Sequence, residues 1–328
     1  MATLASTVVT FADAAKRTDP DGNTAAIVEL LMQENEILKD GGIREGNLPT
    51  GHRSTVRTGL PTAYWRKLNQ GGPKSKSATK QVDDQVGSLE AYAEVDKDIA
   101  DLNGNTAEFR ASEDMAFLEA MNQEMGTTTF YGDTTVDEKE FHGLAPRYSS
   151  LSASNAENII DGGGTGSDNT SIWVITWGDN TCHYIYPKGS KAGLNQDDKG
   201  QVTLEDSSGD NYEGYRTHYQ WKLGLVLRNW KSVVRVANID VSDLTKDASG
   251  SSADLVDLLA QAVEQRRGIG TIAIYCNRTI RSVLRRQIKN SNNVNISMAE
   301  VAGEQVVAFD GIPVRVCEAI LNTESQVT

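Results

Sequence analysis

The side chains able to do chemistry in this sequence are few, and their spacing is wrong for it. The four histidines, His52, His142, His183 and His218, include no pair three or four residues apart. They build no HExxH motif or similar helical ligand set. There is no GxSxG nucleophile elbow. Cys182 and His183 are adjacent, so on a strand they point to opposite faces and do not act as nucleophile and base. Asp83-Asp84 and Asp197-Asp198 are split in the same way if extended. Asp96, Asp98 and Asp101 lack the glutamate that closes a twelve-residue calcium loop. The run Asp161-Gly-Gly-Gly-Thr-Gly-Ser has no Gly-Lys-Ser/Thr ending and no helix after it. It reads as a flexible loop, not a phosphate cradle. The expectation is no catalytic residue, no metal, no cofactor and no enzyme.

One cluster of like charge does stand out. Between Gln265 and Ala299 lie seven basic residues and no acid. Within it Arg278, Arg281, Arg285 and Lys289 fall on a segment with helical period, the last three at intervals of four. Such a stripe is a solvated face, a contact with another subunit, or a lining that meets packaged nucleic acid. Only Tyr275 is at hand as an aromatic platform, so a single-strand reader is not indicated.

Charge and composition narrow the class. Net charge is −13, which opposes tight binding to nucleic acid over the whole surface. Three widely spaced cysteines, Cys182, Cys276 and Cys317, fit reduced thiols and no disulfide framework. No signal peptide is read at the N-terminus, and no apolar run approaches the ~20 residues of a membrane span. Apolar residues make up 38% and aromatics 6%, which suits a modest core with much extended or partner-facing chain.

The elements follow from periodicity. Residues 25–39 read as a helix stopped by Gly41-Gly42. Residues 43–90 read as an extended hairpin almost without a core, in which 62–68 suggests a strand and Asn69-Gln-Gly-Gly-Pro a turn. Asn105 to Met125 reads as the clearest helix, with Phe109, Phe117, Met121 and Met125 on one side and Gly126 as its stop. Strands are expected over 172–177 and within 212–238, with exposed loops at 161–169 and 188–211. A helix over 253–265, a strand over 271–276, a helix capped by Asn277 and two short strands within 306–316 complete an α/β end.

The hairpin carries an unusual charge pattern. Residues 41–80 hold eight Lys/Arg against Glu45 alone, while residues 81–140 hold sixteen Asp/Glu against Lys97, Arg110 and Lys139. A +7 block followed by a −13 block, on an arm too poor in apolar residues to fold alone, suggests complementary contacts between neighbouring copies. Trp65, Arg66, Lys67, Lys74, Lys76 and Lys80 are the candidate contact residues.

Several stretches resemble the tailed-bacteriophage major capsid proteins of the Hong Kong 97-like fold, in a short-chain, podovirus-type branch. Leu60-Pro-Thr-Ala-Tyr-Trp-Arg-Lys-Leu-Asn-Gln-Gly is similar to the entry to the extended loop, and Glu90-Ala-Tyr-Ala-Glu-Val-Asp-Lys-Asp-Ile to the lead into the spine. Phe130-Tyr-Gly-Asp and Phe141-His-Gly-Leu resemble the stretch after the spine. Trp221-Lys-Leu-Gly-Leu, Arg235-Val-Ala-Asn-Ile-Asp and Asp310-Gly-Ile-Pro-Val-Arg-Val resemble the β region and closing strand. The likeness covers most of residues 50–320.

This resemblance implies an α+β capsid fold. It would have an N-terminal arm (1–48), an extended β-hairpin loop (49–104), a spine helix with a peripheral β region (105–250) and an axial α/β region (251–328). It implies a shell of pentamers and hexamers around double-stranded DNA, in the virion and, during assembly, in the host cytoplasm. A separate scaffolding protein, a portal and a decoration protein are the further expected partners, with non-specific contact to DNA and no membrane. Self-crosslinking capsids place a lysine in the region of Lys74, Lys76 and Lys80, and nothing else in the sequence supports that chemistry. The alternatives are another virion component, of tail or decoration type, or a carbohydrate-binding β-protein suggested by the aromatics of 173–230.

Overall fold

A computed structural model describes residues 32–104, 106–206, 208–244, 253–290, 296–301 and 304–328, with backbone alone at 103, 288–290, 296–301 and 304–307. In chain order the helices are α1 (Ile37–Asp40), α2 (Lys97–Ala100), α3 (Thr106–Tyr131), α4 (Leu255–Gln265) and α5 (Arg278–Asn290). The strands begin with β1 (Ile43–Glu45), β2 (Gly51–Gly59), β3 (Ala78–Gln85), β4 (Gly87–Asp96), β5 (Ile159–Asp161), β6 (Asn169–Trp177) and β7 (Cys182–Tyr186). They continue with β8 (Leu194–Glu205), β9 (Asn211–Leu227), β10 (Val233–Asp240), β11 (Thr271–Cys276), β12 (Ile296–Val301), β13 (Glu304–Phe309) and β14 (Ile312–Val316). The chain forms two compact units, one of residues 1–34, 88–126 and 193–222, the other of 35–87, 127–192 and 223–328.

The first unit is a helix on a sheet. β8 pairs antiparallel with β9, and β4 lies on the other side of β9. Alternation along β4 turns Ala91, Ala93 and Val95 to the helix and Glu90, Tyr92 and Glu94 outward. Ala93, Met121 and Tyr219 are buried together, with Leu89, Phe117, Leu118 and Trp221 packed around them. A second cluster joins Val95, Ile99, Ala100 and Phe109. Phe117 is therefore at the rim of the stripe, and Met121 is its buried centre.

The second unit holds the larger core. Its sheet runs β12-β13-β14-β11-β6-β7-β9, with β10 paired to β6, β5 paired to β10 and β1 paired to β7. Every residue of β6 is buried, as a central strand covered on both faces requires. α4 and α5 close one face over Ile172, Val174, Val234, Val236, Ile274 and Val314. Asn277 caps α5 by accepting from Ile280 N–H at 2.9 Å. Asp310 and Gly311, both at positive φ, turn the chain between β13 and β14.

Five expectations change. Residues 62–68 form no strand, because Pro61 interrupts the ladder and β2 pairs β3 only from Gly51↔Gln85 to Gly59↔Ala78. The long helix passes through Gly126 to Tyr131; burial of Thr129 and Phe130 outweighs the ~1 kcal/mol a mid-helix glycine costs. Residues 188–211 are not all loop but contain β8, whose burial pattern is mostly exposed and so hides its periodicity. β12 is an additional strand, opposite β13. The helix expected over 25–39 is contradicted where it is described: residues 32–36 are not helical, Asn35 bridges Cys317, and only Ile37–Asp40 is helix, as α1; residues 25–31 lie outside the described residues. At the other helix start, Asn105 lies outside them too, while the Thr106 hydroxyl donates to Asp101 at 2.7 Å.

Candidate subunit-contact surface

The β2–β3 hairpin forms a two-stranded sheet of its own. Its bonds to the rest of the second unit are concentrated at the base. Arg147 Nη1 donates to Asp84 Oδ1 at 2.8 Å, and the same guanidinium donates to the carbonyls of Gly143 at 3.0 Å, His142 at 2.9 Å and Leu225 at 3.1 Å. Beside it Arg228 lies 2.8 Å from His52 Nε2, and the His52 and His183 rings meet edge to face at 6.1 Å. Burial lowers the pKa of both histidines, with the Arg228 charge adding to it, and His183 falls to about 4. Gly224 lies so close to the end of β3 that a Cβ there would come within 2.6 Å of Gln85 O.

Beyond the base the hairpin has no core. Every residue from 60 to 81 is exposed. Trp65 is 104% exposed, Leu68 89%, Leu60 81% and Tyr64 54%, values at which a monomer leaves nearly all their apolar surface in water. Arg53 pairs with Asp83 at 2.7 Å within the hairpin. Among the described residues no ion pair engages Arg66, Lys67, Lys74, Lys76 or Lys80. The hairpin thus gathers all six candidate contact residues on one exposed arm.

The basic stripe of α5 is divided by the structure. Arg278 Nε donates to Glu318 at 2.8 Å, an acid from beyond the basic stretch that sequence spacing did not connect with it. Arg281 is half-buried and Arg285 exposed, while the side chain of Lys289 lies outside the described residues. Val283 and Leu284 occupy the buried side of the helix.

A feature that sequence reasoning missed lies past the end of α3. Arg235, 4% exposed, donates to Glu324 at 2.9 Å, to Ser171 Oγ at 3.0 Å and to Tyr148 O at 2.7 Å. The hydroxyls of Tyr131 and Ser171 also donate to Glu324. Desolvation and the Glu324 carboxylate drive the Tyr131 pKa far up, so its proton stays. This network floors an open groove of about 570 Å³ whose walls include Asp133, Val136, Pro146, Leu321 and Val327. No signal in the sequence joins residues 131–149 to 321–327, which lie far apart along the chain.

The N–H groups of Gly162 and Gly164 donate to Ala237 O and Asn238 O, and that of Gly163 to Asp161, so these amides are occupied within the chain. Burial pushes the Cys182 thiol up to about 12. Among the described residues no three His, Cys, Asp or Glu side chains are placed to hold a metal ion, and no helix is long and apolar enough to cross a membrane.

An α+β body with a long helix and a coreless, cationic hairpin defines a class: shell subunits of the Hong Kong 97 fold. The model of the family "Major capsid protein GP7" matches residues 19–328, and the chain belongs to that family. It is similar to a chain in the near-atomic structure of bacteriophage epsilon15, at 38% identity over 100% of both chains with a TM-score of 0.77. It also matches the capsid of bacteriophage JBD30, at 9% identity over 89% of this chain and 92% of that one, with a TM-score of 0.43. The holo-SrpI encapsulin of Synechococcus elongatus PCC 7942 matches at 9% identity over 71% and 97%, with a TM-score of 0.46. No curated protein matches. The protein is a major capsid protein that self-assembles into the shell of a phage virion.

Proposed function

We propose that this subunit builds an icosahedral shell of pentamers and hexamers around double-stranded DNA, and that its role is mechanical, not catalytic. The hairpin is the overlapping element, held by a neighbouring copy through Trp65, Arg66, Lys67, Lys74, Lys76 and Lys80. The observation carrying this is an arm with four large exposed apolar residues and a row of cations that have no ion-pair partner among the described residues. Burial at about 25 cal/mol per Å² and charge complementarity both act only once a second copy arrives. In functional terms residues 1–48 are an arm, 49–104 the extended loop, 105–250 the spine and peripheral region, and 251–328 the axial region.

Assembly takes place in the host cytoplasm, with a separate scaffolding protein and a portal; a decoration protein is a further partner. Arg281 and Arg285 face the packaged DNA or a neighbour and soften repulsion without reading bases, in keeping with a net charge of −13. Deleting residues 62–80 tests the central claim. The expected product is a folded, soluble subunit that builds no shells; shells of normal size and yield from this deletion would refute it.

A further inference from the structure

The groove beyond α3 joins a closed polar floor to an open rim. Its floor is saturated: Glu324 accepts from Arg235, Tyr131 and Ser171, and Arg235 is spent on Glu324, Ser171 and Tyr148. Its rim is not. Val136 is 86% exposed and Leu321 45%, two large aliphatic side chains at the mouth of one cavity. The rim is acidic as well. Residues 133–140 carry Asp133, Asp137, Glu138 and Glu140 against Lys139 alone. Asp133 accepts from the backbone and hydroxyl of Thr135, and those bonds hold its carboxyl below the usual range, so it is ionised at neutral pH.

The hairpin tip has the opposite deficits. It offers Trp65, Leu68 and Tyr64 to solvent and surrounds them with Arg66, Lys67, Lys74 and Lys76, with no acid between Glu45 and Asp83. Trp, Tyr and Arg are the residue types enriched among the hot spots of protein interfaces. A groove of about 570 Å³ is in the size class that encloses such a group. Its floor is already ordered, so an incoming ring loses less entropy to remodelling.

We infer that this groove is the receptor for the hairpin tip of a second copy of the chain, with Trp65 seated against Val136, Pro146 and Leu321 and with Arg66 and Lys67 facing the acidic 133–140 segment. The inference rests on the reading of the hairpin as a subunit contact and adds where it lands. The competing landing place is the outer face of β4 and β9 in the first unit, where Tyr92 is exposed. Its Glu94 is paired with Arg216 at 2.6 Å, and Arg216 also stands over the Tyr92 ring, so a cationic arm meets a like charge there. The acids of 133–140 have partners as well, Asp133 with His142 at 3.6 Å and Asp137 with Lys139 at 4.0 Å, but they outnumber the one lysine of that segment four to one.

Cysteine pairs separate the two. Cys182, Cys276 and Cys317 are buried, so introduced thiols react alone. Particles are to be made from the double variants Trp65→Cys/Val136→Cys and Trp65→Cys/Tyr92→Cys, oxidised with copper phenanthroline and run on non-reducing denaturing gels. The first pair is expected to give a ladder of covalent multimers and the second monomers. A ladder from the Tyr92 pair alone overturns the inference while keeping the hairpin as a subunit contact. Wild-type particles provide a second readout that does not depend on these variants. Hydrogen exchange at 133–138 and 321–327 should slow at least tenfold between free subunits and shells. Equal exchange in both states overturns the inference even if the deletion of 62–80 abolishes assembly; shells from that deletion would instead sink the underlying reading.

Discussion

Arg147 Nη1 sits 2.8 Å from Asp84 Oδ1, and this ion pair ties the foot of the hairpin to the segment that follows α3. The side chains are 13% and 4% exposed, so the pair is shielded from solvent. Three backbone carbonyls accept from the guanidinium as well, a fan of bonds that a lysine ammonium has no geometry to match.

Arg147→Ala leaves Asp84 buried without its counter-charge. The expected loss is about 3–5 kcal/mol, the usual cost of breaking a buried pair from one side. Urea unfolding of the isolated subunit measures it. Limited proteolysis should show faster cutting within residues 43–90. A loss below about 0.5 kcal/mol, typical of a surface site, would mean the pair does not hold the base.

Met121→Ala should cost more than Phe117→Ala. Met121 is 3% exposed at the centre of its cluster, and its truncation is expected to cost about 2–5 kcal/mol. Phe117 is half-buried at the rim, so about 1–2 kcal/mol is expected there, below the ~3–5 of a fully buried ring. The ordering of the two unfolding midpoints checks this; the reverse ordering would place the stripe's centre one turn earlier.

Stability should fall as pH drops from about 6.5 to about 4. The unfolded chain protonates His183 below about 6.5, the buried ring only near 4, so acid favours the unfolded state across that window. Above it the contribution is complete, on the order of 3 kcal/mol. His183→Gln should flatten the pH dependence of the urea midpoint between those limits. An unchanged slope in the variant would show that another group titrates there.

Raising salt should loosen early shells, since exposed charges more than ~10 Å apart are screened at 0.1 M. Arg66→Glu with Lys67→Glu should reproduce that loss at low salt. Sedimentation of particles reports both. Yields indifferent to salt and to charge reversal would remove the electrostatic part of the hairpin contact.

Arg281→Glu with Arg285→Glu should weaken the already weak binding of the subunit to duplex DNA if α5 faces inward, and should abolish shells if it faces a neighbour. Arg278→Glu should act through stability instead, because Arg278 is bound to Glu318. Filter binding beside particle yield distinguishes these. Nanomolar, sequence-selective binding would contradict the non-specific role.

What the sequence displayed was local. β6, α4, β11 and the Asn277 cap are written in short runs of apolar period and a single capping residue. The hairpin was legible from the absence of apolar period and from its charge. Two things were hidden for physical reasons. β8 alternates among polar residues exposed on most positions, so it carries no hydrophobic signal. The Arg235–Glu324 pair joins positions 89 residues apart, and across the groove Tyr131 meets Glu324 over 193, separations that no spacing rule reaches. Arg278 is the same lesson in miniature, its neutralising acid lying forty positions further on.

The end of α3 has a consequence for the order of folding. Its last carbonyls are not left to water: Gly132 N–H bonds Thr128 O, Leu144 N–H bonds Thr129 O and Ala145 N–H bonds Phe130 O. The final turn is therefore closed by chain made more than a dozen residues later. On a ribosome the first turns of this helix have their local bonds as soon as they emerge, while the last waits for the return segment. Nucleation and completion of one helix are separated in time, and in a refolding experiment substitutions at Met121 and at Leu144 should report different stages.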